Sequence, residues 1–420
     1  MAYVKYSTDE LMECVDVFNV SEETQKKIRK LLDAETNPPD AGNFFRYYNP
    51  RSKVVKFEQM VREKIGSKYV LAVNSGTSSL VAAMVAAGVG PGDEVIIPAY
   101  TFFASASAVV VAKGVPVITD IDETLTLDPA AIEKNITRKT KAILPVHMLG
   151  LPSKMDEICK LAAKYNLKVI EDTAQAFGGK YKGKYLGTIG DVGCISLDAY
   201  KVIGTGEGGL VLTDDEWTYI KAQSYHDAAA CWRPDRFARE RKKGELFCGE
   251  NYRMPELCAA VGIAKLKKLD WINERTRSLW KQLKAEIKLP SCAKFVECND
   301  KNGVCGYNLG ILFDNSEQCV NAINAKIGLG GLAAKDTKGV RDWHVYWNWE
   351  QILEQKTATE EGCPFKCQHV SKLPAYSTDM CMKTKNIMLR LATLSISPSC
   401  DSAWATATAA KLSAELKKLF

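Results

Sequence analysis

No stretch of this 420-residue chain stays apolar for the ~20 residues that a membrane-spanning helix needs. The most apolar windows, Leu80 to Val89 and Ala104 to Ala112, fall far short and read as buried helices. The N-terminus, Met1-Ala-Tyr-Val-Lys-Tyr-Ser-Thr-Asp-Glu10, lacks an apolar core followed by small residues, so no secretory leader is expected. Internal repeats and low-complexity segments are missing, and charge of one sign is nowhere massed. The net charge of +6 is spread along the chain, and Lys-rich pieces such as Arg239 to Lys243 are short and mixed. They read as solvated helix faces, which argues against a nucleic-acid partner. Cysteine is plentiful, at 14 residues, but tight pairs are not. The one cluster, Cys363-Pro-Phe-Lys-Cys367-Gln-His369 with Cys381 beyond, has loose spacing and no second pair, so we expect free thiols and no metal site. The scatter of the rest does not fit the disulfide framework of short secreted chains.

What remains is an ordinary soluble composition, 46% hydrophobic and 25% charged, and we expect a cytoplasmic protein without a membrane partner. The length calls for more than one domain. Apolar β-type runs (Tyr69 to Val73, Glu94 to Ile97, Val115 to Thr119, Lys141 to Pro145, Leu167 to Ile170, Val192 to Ser196, Gly209 to Leu212) alternate with helical patterns. Those helices include Thr77 to Ala87, Phe102 to Ala112 and Lys154 to Tyr165. Such alternation predicts an α/β fold: a mostly parallel sheet with helices on both faces and ligands beyond the carboxyl ends of its strands. We divide the chain into an N-terminal arm (1–52), a large domain (53–270), and a connecting helix with a smaller C-terminal α+β domain (271–420). A long amphipathic helix from about residue 255 is expected to leave the sheet. The smaller unit should contain a strand near Gly306 to Phe313, a helix near Ser316 to Ala325 and a closing helix from Ala403 to Leu419.

The chemistry concentrates in two segments. Glu171-Asp172-Thr-Ala-Gln175-Ala ends an apolar run, and Ser196-Leu-Asp-Ala-Tyr-Lys201-Val-Ile-Gly-Thr-Gly-Glu-Gly-Gly209 follows. A strand-end carboxylate, then a lysine behind a serine and before a glycine loop, suits pyridoxal phosphate. That cofactor needs an anion for its ring nitrogen, a lysine for its aldehyde, and hydroxyls with free N–H groups for its phosphate. Asp172, Lys201 and Ser196 can supply one each. Gly204 to Gly209 also fits the dinucleotide pattern G-x-G-x-x-G, but these glycines lead into Leu210-Val-Leu and not into a helix, so that reading fails. Asn74-Ser-Gly-Thr77 ends one strand and opens a helix, which makes an anion site.

Three further blocks join these two: Val73-Asn-Ser-Gly-Thr-Ser-Ser-Leu80; Gly92-Asp-Glu-Val-Ile-Ile-Pro-Ala-Tyr-Thr-Phe102; and Gly249-Glu-Asn-Tyr-Arg-Met254 with Ala259-Ala-Val-Gly262. In this order the five resemble the DegT-type sugar aminotransferase family of fold-type I pyridoxal phosphate enzymes, from about Phe57 to Leu269 and more weakly beyond. The resemblance implies that Lys201 carries the cofactor and that Asp172 pairs with its ring nitrogen. Gln175 reaches the ring hydroxyl, Phe102 stacks on the ring, and Gly76, Thr77 and Ser196 hold the phosphate. It also implies that Asn251 enters the neighbouring subunit's phosphate site, making a homodimer with shared active sites. A lysine at 201, where some relatives have a histidine and dehydrate sugars, points to transamination.

Phe45-Arg46-Tyr47, Ile121 to Leu125, Val146-His-Met148, and Asp342-Trp343-His344 with Trp347-Asn348-Trp349 narrow the resemblance further. They are similar to transaminases that make 8-amino-3,8-dideoxy-octulosonate, a lipopolysaccharide sugar. On that reading Arg46, Tyr47, His226 and His344 are candidate substrate contacts, with Arg46 facing a carboxylate. His147 reads as a structural histidine near a strand end. A nucleotide-linked keto-sugar or an aminocyclitol precursor stays open as the acceptor. A non-catalytic cofactor-binding role stays open as a remote alternative.

Overall fold

The computed structural model describes residues 7–35, 51–229, 240, 242–336 and 339–420. Two short helices, α1 (Thr8–Asp16) and α2 (Glu22–Asp33), pack on each other ahead of the body. The body opens with α3 (Lys53–Ile65), which Ser52 caps at its start and Gly66, at φ +84°, ends. Glu256, some two hundred residues on, adds its carboxylate to that start. It accepts from the Ser52 hydroxyl and from the backbone N–H groups of Lys53 and Val54.

Seven strands form the main sheet: β1 (Tyr69–Val73), β2 (Glu94–Pro98), β3 (Val115–Thr119), β4 (Thr140–Ile143), β5 (Lys168–Asp172), β8 (Val192–Ser196) and β9 (Gly209–Thr213). A small hairpin, β6 (Lys180–Tyr181) and β7 (Lys184–Tyr185), lies between β5 and β8 in sequence, and no apolar run announces it. The spatial order is β1-β9-β8-β5-β4-β2-β3. Every pairing is parallel except those of β9, which runs antiparallel to β1 and β8. The expected mostly parallel sheet is therefore observed. Most strands are buried along nearly their whole length, as a sheet covered on both faces requires.

Helix α4 (Gly76–Ala86) is apolar on almost every side, and it is buried accordingly. It packs against α5 (Ala104–Val111) and α8 (Glu216–His226). On the other face α6 (Pro129–Asn135) and the amphipathic α7 (Met155–Tyr165) cover β3, β4 and β5, burying Ile132, Met155, Ile158 and Ala162. The long helix expected from residue 255 is two helices, α9 (Glu256–Leu266) and α10 (Leu269–Glu286). The Lys268 N–H bonds the Lys265 carbonyl in a tight turn between them. Leu266 and Leu269 stay in helical register across that turn and both are buried, so hydrophobic spacing alone does not reveal the break.

Beyond it β10 (Ala293–Phe295), β11 (Asn308–Phe313) and β12 (Leu391–Ser395) make an antiparallel three-stranded sheet. Helices α11 (Ser316–Asn324), α12 (Leu332–Asp336), α13 (Glu350–Leu353), α14 (Met382–Leu389) and α15 (Ser402–Leu419) accompany it. The expected strand, helix and closing helix of this unit all appear, shifted by a residue or two. No helix among the described residues is long and apolar enough to cross a membrane.

Candidate active site

The carboxyl ends of β1, β2, β5 and β8 open onto one cavity of about 920 Å³. Its walls include Gly76, Thr77, Phe102, Asp172, Gln175, Ser196, Lys201 and His344, so eight of the expected site residues meet in one place.

Asp172 closes β5 and is 4% exposed. Its backbone is pinned on both sides: its N–H donates to the Pro145 carbonyl, and its own carbonyl accepts from the His147 N–H. One carboxylate oxygen accepts from the Ser105 hydroxyl (2.8 Å), the other from the Ala174 N–H (3.0 Å). Burial pushes its pKa above the usual carboxylate range. Those two hydrogen bonds and the charge of Lys201 oppose the shift. Among the described residues Asp172 has no ion-pair partner. A carboxylate so placed needs a cation in the cavity, and a protonated ring nitrogen would supply it.

The strand end is held by a buried neighbour. His147 Nδ1 accepts from the Ser153 N–H (3.0 Å), so its proton sits on Nε2, facing Glu171 at 3.1 Å. Glu171 also accepts from the N–H groups of Gly187, Ile189 and Gly190. His147 is structural, as the sequence suggests.

Lys201 lies in the loop joining the antiparallel strands β8 and β9, which Ser196 and Gly209 close as a cross-strand pair. The loop is braced from within: Leu197 N–H to Gly208 O, Thr205 N–H to Leu197 O and Lys201 N–H to Asp198 O, all at 2.8 to 2.9 Å. Gly209 must lack a side chain, because a Cβ there would stand 2.2 Å from the Ser75 carbonyl oxygen. The glycines thus serve a close approach of β9 to the β1–α4 turn.

That turn is a helix start with free donors. Ser75 caps α4 by accepting from the Ser78 N–H, and Ser78 in turn bonds Asn74. The N–H groups of Gly76 and Thr77 find no acceptor among the described residues, at the positive end of the helix dipole. A Cβ on Gly76 would meet Ser196 Cβ at 2.6 Å and its Oγ at 2.9 Å, so the bare helix start lies directly against the Ser196 hydroxyl. A phosphate suits that cradle.

The Gln175 side-chain oxygen accepts from the Leu149 N–H (3.0 Å), and its backbone carbonyl accepts from the Tyr307 hydroxyl (2.8 Å). Its amide nitrogen has no acceptor among the described residues, and the side chain lines the cavity. Phe102 is 48% exposed on the cavity wall, and its ring centroid lies 5.3 Å from that of His344. The donors, the helix start, the lysine and the buried carboxylate of Asp172 together fit pyridoxal phosphate.

Not every expected residue arrives. His226 is fully buried near the end of α8, its Nδ1 donating to the Gln223 carbonyl, and it does not line this cavity. Its loop motif looks like a site motif, but the imidazole turns into the protein. Asn251 is exposed and forms a backbone bridge to Asp227 outside the cavity. Arg46 and Tyr47 lie outside the described residues. Cys363, Cys367 and His369 are described, and no cluster of three or more His, Cys, Asp or Glu among the described residues is arranged to hold a metal.

Sequence reading missed Ser105 and Thr101, whose hydroxyls lie 2.7 Å apart and lead to Asp172. Two hydroxyls four apart at a helix start was the available signal. Tyr307 and Asn308, from the smaller sheet, also line the cavity, and nothing local marks them.

Comparison with known proteins agrees with this geometry. Over 227 residues the chain is 41% identical to GDP-perosamine synthase of Escherichia coli O157:H7, covering 54% of this chain and 60% of that one. It is 38% identical over 236 residues to the spore coat polysaccharide biosynthesis protein SpsC of Bacillus subtilis, covering 54% and 59%. The chain thus spans about three fifths of the length of these curated relatives. Among solved structures, the aminotransferase from Psychrobacter cryohalolentis superposes with a TM-score of 0.72 at 25% identity, over 95% of this chain and 98% of that one. NtdA of Bacillus subtilis, solved with bound PMP, gives 0.67 at 26% identity, over 95% and 82%. The profile of the DegT/DnrJ/EryC1/StrS aminotransferase family matches residues 43–324, and the chain belongs to that family.

Proposed function

We propose that this protein is a pyridoxal-phosphate-dependent aminotransferase that moves an amino group from an amino acid, glutamate, to a keto- or aldehydo-sugar. The observation that carries this reading is the convergence of Lys201, Asp172, Ser196 and the bare start of α4 on one cavity. When bound, pyridoxal phosphate supplies an electron sink for the carbon that loses its proton. The chain's own groups do the rest. Gly76, Thr77 and Ser196 anchor the phosphate, and Phe102 orients the ring. Asp172, backed by Ser105 and Thr101, keeps the ring nitrogen protonated. Lys201 Nζ would hold the cofactor at rest and would serve as the acid–base group at the donor's Cα.

For the acceptor we propose 8-oxo-3,8-dideoxy-octulosonate, a free acidic sugar. Its support is the sequence signature around Arg46 and His344, of which His344 lines the cavity. Likeness to GDP-perosamine synthase favours a second reading, a nucleotide-linked keto-sugar. Lys201 is the one Lys or Arg among the described residues lining the cavity, and it is committed to the cofactor. The carboxylate of a free acidic sugar therefore needs a cation from outside these residues, and we assign that part to Arg46. Asn251, exposed on the surface, suits a homodimer with shared sites. Glutamate should convert the bound cofactor to its amino form with loss of visible absorbance. Mixing that form with free and nucleotide-linked keto-sugars then names the acceptor. A protein whose colour no amino acid discharges would refute the transamination reading.

A further inference from the structure

The segment from Asp342 to Trp349 is built around one imidazole. It runs antiparallel to residues 99–103: the Thr101 N–H donates to the His344 carbonyl (2.9 Å), the Phe103 N–H to that of Trp343 (3.0 Å), and the Tyr346 N–H to that of Ala99 (3.1 Å). Its far end is anchored by the fully buried Tyr346 and Trp349, and the Trp349 indole N–H bonds the Trp343 carbonyl. The segment is thus fixed against the strip that carries Phe102, and His344 stands in the cavity beside that ring.

Asp342 takes hold of His344 twice. One carboxylate oxygen accepts from the His344 backbone N–H (3.0 Å) and faces its ring Nδ1 at 2.8 Å. The other oxygen accepts from Lys335 Nζ at 2.7 Å, and the Asp342 carbonyl accepts from the Asn348 side chain. The His344 hydrogen bond, helped by Lys335, holds the Asp342 carboxyl well below the usual range against its partial burial. An ionised carboxylate only accepts, so the shared proton belongs to His344 Nδ1. An isolated neutral imidazole prefers its proton on Nε2, so this arrangement reverses the ring's own preference.

We propose that Asp342, backed by Lys335, is a positioning residue for the acceptor half of the reaction. It holds His344 with its proton on Nδ1, so that Nε2 is the atom presented to the keto-sugar. This rests on the aminotransferase reading above. Asp342 does not touch the reacting atoms and acts through the histidine. Nε2, left with a lone pair, accepts from a sugar hydroxyl and fixes the sugar's carbonyl relative to the cofactor face.

Two measurements test it, one independent of any substrate. The chain has four histidines, so long-range ¹H–¹⁵N spectra of the labelled holoenzyme resolve each ring, and His344→Gln assigns the signal. At pH ~8.5, well above the ordinary imidazole range of about 6.5, His344 should show a protonated Nδ1 in the wild type and shift toward protonated Nε2 in Asp342→Ala. A wild-type ring protonated on Nε2, or a pattern unmoved in Asp342→Ala, would overturn the proposal. In the second arm, Asp342→Ala and His344→Ala should each raise the KM for the keto-sugar roughly tenfold. The double variant should be no worse than His344→Ala alone, because the two act through one path. His344→Gln, which keeps a polar atom near the Nε2 position, should recover part of the loss, and His344→Asn should not. Additive losses, or equal damage to the glutamate half-reaction, would make the pair a structural clasp. Should Asp342→Ala fail to fold, Asp342→Leu, which fills the space and offers no acceptor to Nδ1, serves both arms. If the wild type accepts no keto-sugar, the aminotransferase reading fails by itself, and the tautomer still decides what Asp342 does.

Discussion

Gly76→Ala is the sharpest probe of the phosphate cradle, because two effects of known sign oppose each other there. Gly76 is the first residue of α4, and its backbone is not left-handed, so alanine meets no dihedral strain. Helix propensity alone favours alanine by up to about 1 kcal/mol, less at a first turn than in an interior. Against this, the new methyl carbon would lie 2.6 Å from Ser196 Cβ and 2.9 Å from its Oγ. Neither atom is the far end of a flexible chain, so β8 or the start of α4 must move. Overpacking of this kind costs about 1–3 kcal/mol. The clash should win by about 1–2 kcal/mol, a factor of roughly 5 to 30 in an equilibrium constant. Because the displaced atoms are the anion donors, the loss should appear as weaker cofactor binding, measured by absorbance titration of the cofactor-free protein. A second variant isolates the cause. Ser196→Gly removes the two nearest atoms and leaves only Ser196 Cα, at 3.1 Å, so Gly76→Ala should weaken binding much less in that background than in the wild type. A Gly76→Ala protein that binds cofactor within about twofold of wild type, a difference of under ~0.5 kcal/mol, would refute the cradle.

Four further outcomes are expected. Lys201→Ala should abolish turnover and the visible absorbance of the covalently held cofactor, while thermal unfolding stays cooperative; retained absorbance would move the assignment to another lysine. Asp172→Asn should lower the rate far more than cofactor occupancy, since the phosphate contacts remain. Because the folded-state pKa of Asp172 is raised by burial, the stability it confers on the cofactor-free protein is fully present below the unfolded value of about 4 and is lost as pH rises through the folded value. The cofactor-free wild type should therefore lose ground in melting temperature to Asp172→Asn over that rise, and a pH-independent difference would refute the assignment. Arg46→Met should raise the KM for an acidic sugar by roughly tenfold, about 1.5–3 kcal/mol for a charged hydrogen bond, with less effect on the glutamate half-reaction. An unchanged KM would favour the nucleotide-sugar reading.

The main sheet was legible because its strands are buried on both faces and so appear as short apolar runs, from Tyr69–Val73 to Gly209–Thr213. The Glu171-Asp172 and Ser196–Gly209 segments were legible because the cofactor's demands are chemical and local. Residues whose role depends on tertiary placement were not. Ser105 matters because α5 turns its hydroxyl onto Asp172, and Tyr307 because the smaller sheet delivers it to Gln175. His226 shows the opposite failure, since a segment resembling a site loop buries its imidazole under α8. The break between α9 and α10 was hidden because the leucine spacing continues through it.

The contact of Glu256 with the start of α3 fixes where the arm can be separated from the body. Three donors of residues 52–54 converge on that carboxylate, and Ser52 also caps the helix by accepting from the Val55 N–H. A truncation that spares Ser52 leaves the contact whole. One that begins a few residues later strands a carboxylate at the head of α9, whose packing on α3 helps cover the face of the sheet behind Lys201. The start of α3 and its packing on α9 therefore depend on no described residue upstream of Ser52.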